Sequence, residues 1–70
     1  MSNAKSGRRP EAYRPNGGEV RSFRIKRGKS AAWCAALIHT TPRVWYQYEA
    51  GDREMHAAFW ELANLKAPPL

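Results

Sequence analysis

Cys34, His39 and His56 are the only soft metal ligands or nucleophile candidates in the 70-residue chain, and their spacing suits neither use. A zinc site needs closely spaced Cys/His pairs, whereas Cys34 and His39 stand five residues apart and point to different helix faces. Cys34 therefore reads as a small buried hydrophobe. Glu49, Asp52 and Glu54 could be imagined as an acid cluster, but acids that follow a helix are more simply a solvated loop. The sequence holds no glycine-rich phosphate loop and no nucleophile beside a base. The expectation is a protein that is not an enzyme, with no metal, no cofactor and no small-molecule substrate.

Binding chemistry is another matter. Residues 40–54, TTPRVWYQYEAGDRE, set three large aromatics between Arg43 and Arg53. At 3.6 residues per turn Val44, Trp45 and Tyr48 form one stripe of a helix, and Pro42, Arg43, Tyr46 and Gln47 form the other. The first stripe is predicted to be core. The second offers a guanidinium, a phenol and a carboxamide, groups that reach base edges: in the major groove Arg suits guanine and Gln suits adenine. The competing reading of the same three side chains is an ordinary polar surface.

The charge balance points the same way. Net charge is +6 with a pI near 10.1. Residues 1–29 carry nine of the twelve basic side chains against Glu11 and Glu19, while Arg43, Arg53 and Lys66 share the rest of the chain with four acids. Such a basic segment is the footprint of polyanion binding or, more plainly, a solvated tail. A lone cysteine allows no internal disulfide framework, and no signal peptide or long apolar run is visible, so a cytoplasmic protein outside the membrane is expected. A chain this short buries a modest share of its surface, and oligomerisation is a common remedy.

The elements that must position these groups are helical throughout. Residues 1–17 are rich in polar residues and carry Pro10 and Pro15, which predicts an extended basic arm ahead of a domain over 18–70. A first helix is expected from Gly18 or Glu19 to Arg27, closed by Gly28 in the left-handed conformation, with Val20 and Phe23 facing inward. Ser30 caps a second helix over AAWCAALI, whose small residues permit close packing. Thr41 as cap and Pro42 as first residue start the third, which ends near Ala50 and Gly51. A fourth runs from about His56 to Leu65. Trp33 and Leu37, four apart, are expected on the outer face of the second helix, with Trp60 similar on the fourth. Either the arm or a second subunit would then have to cover them.

From about Val20 to Lys66 the chain resembles the phage repressor and Cro family of helix-turn-helix proteins, also called XRE-type. VRSFRIKRG matches its first helix and glycine stop, SAAWCAALI its second helix, HTTPRVWYQYEAGDRE its turn, third helix and E-x-G exit, and MHAAFWELANLK its fourth. The resemblance implies an all-α domain of four or five helices, with Ala35 at the close helix crossing and Trp45 at the buried position of the third helix. It also implies an ion pair between Arg24 and Glu49. Three positions depart from the pattern. Ala31 stands where a phosphate-gripping glutamine is usual, Lys29 where an apolar residue is, and His39 where glycine is, so the exit of the second helix is expected to be distorted or to use a different turn.

What the resemblance implies for function is a sequence-specific transcriptional regulator of phage or mobile-element type that inserts its third helix in the major groove of double-stranded DNA. Arg43, Tyr46 and Gln47 would face bases. Thr41, Arg53, Arg21, Arg8, Arg9 and Arg14 would contact phosphates or the minor groove. A homodimer through the fourth helix would match a two-fold site. The rivals are a protein-interaction module, adaptor or antitoxin-like, that keeps the fold with weak DNA binding, and non-specific nucleic-acid coating through the arm.

Overall fold

The structure, a computed structural model, describes residues 13–70; Arg8 and Arg9 lie outside the described residues. Four helices follow one another, α1 (Gly17–Arg27), α2 (Ala31–Leu37), α3 (Pro42–Ala50) and α4 (Ala57–Lys66), and no strand occurs among the described residues. Each start is dictated locally. Asn16 and Glu19 close a reciprocal capping box, Asn16 Oδ1 accepting from the Glu19 N–H at 2.9 Å and Glu19 Oε1 from the Asn16 N–H at 3.0 Å. Ser30 and Thr41 accept from the N–H three residues on, and His56 Nδ1 accepts from Ala58. The box begins α1 at Gly17, inside the stretch read from sequence as arm.

The part of that arm which is described lies against the helices. Pro15 is buried, Arg14 Nη1 meets Glu54 Oε1 at 3.1 Å, and the Tyr13 hydroxyl donates to Glu19. That bond and then the Asn16 N–H hold the Glu19 carboxyl below its usual range, and the same Glu19 bond pushes the Tyr13 phenol up.

The first three helices end alike. After α1, Gly28 N–H donates to Ile25 and Lys29 N–H to Arg24; after α3, Gly51 donates to Tyr48 and Asp52 to Gln47. Between them α2 closes with the same two bonds, His39 to Ala36 and Thr40 to Ala35, and His39 takes φ 59° where its neighbours have glycine. The expected distortion at this exit is therefore absent: histidine itself adopts the left-handed conformation, one of the few side chains that does so with any frequency. Lys66, from the end of α4, donates to the Leu37 carbonyl at 3.1 Å and lies 3.4 Å from His39 Nε2, tying down the turn.

Trp45 is the centre of the core. It is fully buried among Val20, Phe23, Cys34, Ala35, Ile38, Tyr48, Met55 and Ala63. Its ring tilts onto Phe23 at 6.0 Å, and Phe23 onto Trp60 at 5.5 Å. Ala31, Cys34 and Ala35 turn a small-residue face inward, so α2 can approach α3 closely. A second close approach joins α1 to the end of α3: a Cβ on Gly17 would stand 2.4 Å from the Glu49 backbone oxygen.

Trp33, Leu37 and Trp60 correct the sequence expectation. All three are half-buried and pack on the margin of the core rather than standing in water. Lys29 lies 5.0 Å over the Trp33 ring, and Pro68, Pro69 and Leu70 line the same groove. Among the described residues the large hydrophobic side chains left most exposed are instead Leu65 and Leu70, each 77%, with Tyr13, Ile25, Tyr46 and Phe59 behind them. Among the described residues no helix is long and apolar enough to cross a membrane, and no group of three or more potential metal-binding side chains gathers.

Candidate nucleic-acid interface

The geometry of α3 follows from the angle of 100° between successive side chains. Trp45 and Tyr48 point into the core and Val44 covers its edge. On the other side Arg43, Tyr46 and Ala50 are exposed, and Gln47 is half-buried beside them. Ala50 was not singled out from sequence. It sits four residues after Tyr46 and three after Gln47, so helical spacing alone would have placed it on this stripe. Its methyl adds an apolar point to a polar face.

A part-buried electrostatic clamp fixes the inner side of α3. Arg24 Nε donates to Glu49 Oε2 at 2.7 Å and Arg24 Nη2 to Glu49 Oε1 at 3.0 Å, a two-pronged pair in which little of either side chain is exposed. The Trp45 indole N–H donates to the same Glu49 Oε2 at 2.7 Å. Burial pushes the Glu49 carboxyl up, but the hydrogen bonds from Arg24 and Trp45 outweigh it and hold the group below its usual range. The same bond raises Arg24. Arg24 also lies 5.8 Å from the Tyr46 ring, so the clamp reaches the outer face.

The remaining candidates fall into two groups. Arg43 and Arg21 are exposed and take no part in the ion pairs among the described residues, which join Arg14 to Glu54 and Arg24 to Glu49. Thr41 is exposed, with its hydroxyl on the Val44 N–H. Arg14 and Arg53, by contrast, are exposed but engaged. Arg14 meets Glu54, and Arg53 Nε donates to Gln47 Oε1 at 3.1 Å.

This surface can hold phosphates and hydrogen-bond to base edges. In the first turn of α3 Pro42 has no N–H, Val44 donates to Thr41 Oγ1 and Trp45 to the Thr41 carbonyl, so the Arg43 N–H is the donor left to add positive potential there. Cys34, the single thiol, is fully buried, and burial pushes its pKa up. The chain matches no family model and no curated protein.

Proposed function

We propose that the protein is a sequence-specific double-stranded DNA-binding regulator of the helix-turn-helix kind, acting in the cytoplasm by binding and not by catalysis. In this reading α2, the turn over 38–41 and α3 form the motif, and α3 enters the major groove. The observation that carries it is the sorting of α3, with Trp45 and Tyr48 buried and Arg43 and Tyr46 outward beside a half-exposed Gln47. Arg43, Tyr46 and Gln47 then read bases, while Thr41, Arg21 and the free N–H groups of Arg53 hold phosphates. Arg14 serves the backbone only by leaving Glu54. Arg8 and Arg9 keep the role that their charge suggests. Phe59 and Leu65, exposed on α4, support a homodimer that presents two such helices.

Selection of duplexes from a random pool tests this. Enrichment of a two-fold symmetric site is the expected result; recovery of unrelated sequences at equal affinity would overturn the reading.

A protein-interaction module remains the second reading, favoured by Ala31. It is buried at the start of α2 and offers a phosphate no amide. Tight capture of a protein partner without duplex preference would establish it.

A further inference from the structure

Gln47 and Arg53 are joined twice. The Arg53 backbone N–H donates to the Gln47 carbonyl at 3.3 Å, and Arg53 Nε donates to Gln47 Oε1 at 3.1 Å. A guanidinium has donors and no acceptor, so the atom it meets must be the amide oxygen, and the orientation of the carboxamide is settled by that chemistry. The group that Gln47 has left for a ligand is its NH2. Four residues earlier on the same stripe stands Arg43, which is also only a donor.

We propose that the Gln47–Arg53 pair leaves Gln47 a donor only, so that at its base pair the protein selects guanine in the major groove and discriminates against adenine. The inference rests on the DNA-binding reading above and deepens it. A glutamine reads adenine by accepting from N6–H2 with its oxygen while donating to N7 with its nitrogen. Here the oxygen is engaged, and an adenine N6–H2 would confront the N–H groups of Arg53. Cytosine presents a donor at N4 and is excluded for the same reason. Thymine offers one acceptor, O4. Guanine offers two, N7 and O6, and the two hydrogens of the Gln47 NH2 can serve either or both, while the other N–H groups of Arg53 stay on the phosphate.

On a free protein this exposed bond competes with water. Under a duplex the local dielectric falls, the bond strengthens, and a wrongly paired donor becomes costly. With Arg43 as a second guanine reader, each half-site is expected to hold at least two G·C pairs.

The test begins with the best duplex selected by the full-length chain. The position whose identity matters to the wild type but not to Gln47→Ala marks the contact, and all four base pairs are then installed there. The wild type is expected to bind the guanine duplex about tenfold more tightly than the adenine one. Arg53→Met frees the Gln47 oxygen and shifts the preference toward adenine, whereas Arg53→Lys, which keeps charge and a donor, retains guanine. A wild-type preference for adenine at that position, or a guanine preference unmoved by Arg53→Met, overturns the inference while leaving the regulator reading intact. Absence of any discriminated position in the wild type overturns both.

Discussion

Glu49 ties three parts of this structure together, because one carboxylate pairs with Arg24, accepts from the Trp45 indole and stands in the last turn of the helix that presents the candidate interface. Its pKa is depressed in the folded state, so its contribution is fully present above the unfolded carboxyl value near 4.5 and is lost as pH falls through the lower folded value. Glu49→Gln is expected to lower stability by about 1–3 kcal/mol at neutral pH, since a part-buried guanidinium loses its charged partner. The same variant should lose less stability than the wild type between neutral pH and pH 3. Urea midpoints at both pH values measure this, and an equal acid-induced loss in both proteins would show that Glu49 is not the group titrating. Gly17 supplies a second test. Alanine is the better helix former, yet Gly17→Ala is expected to destabilise by about 1–3 kcal/mol because its methyl would meet the Glu49 backbone. At Gly18 the nearest atom is the Asn16 side chain at 3.3 Å, so Gly18→Ala should cost less. The Arg24–Glu49 pair was expected only through a family resemblance. Gly17 was not legible at all, because a close backbone approach between distant segments leaves no local pattern.

The helices themselves were legible to within a residue or so, for a local reason: Ser30, Thr41 and Pro42, Gly28 and Gly51 are start and stop signals that act within one turn. Asn16 escaped notice because it follows Pro15 in a polar stretch read as arm, and Met55 because it lies in a link between helices. Trp33, Leu37 and Trp60 were misplaced for a different reason. Helical spacing sorts a side chain to one face, but it does not say which neighbouring segment covers that face. The three similar helix exits give a prediction at this scale. Gly51→Ala, with open space around the added methyl, should cost about 1–2 kcal/mol through the left-handed backbone alone. His39→Gly relieves the same strain, less the added freedom of the unfolded chain, and should raise stability by about 0.5 kcal/mol. Thermal midpoints report both. A loss of more than about 1 kcal/mol in His39→Gly would assign the larger effect to the contact with Lys66.

For the whole molecule, opposite requirements meet on one small chain. The core is built from aromatic and small residues behind α3, and the charge is gathered mainly before residue 30, so affinity and discrimination should come from different places. DNA affinity is expected to fall with salt at a log–log slope of about −0.9 for each phosphate neutralised. Removing residues 1–12, with Lys5, Arg8 and Arg9, should flatten that slope while leaving base preference unchanged; an altered preference would place part of the reading in the arm. Leu65→Arg is expected to yield a monomer by sedimentation if α4 forms the dimer contact, and an unchanged mass would exclude that face. The claim beneath all of these is that the outer stripe of α3 reads sequence. It is tested most directly by the ratio of affinities for a selected duplex and a scrambled one, measured for the wild type and for the Arg43→Ala, Gln47→Ala double variant. The ratio is expected to collapse toward one in the double variant while its helical content is unchanged. A ratio equal to that of the wild type would contradict the claim.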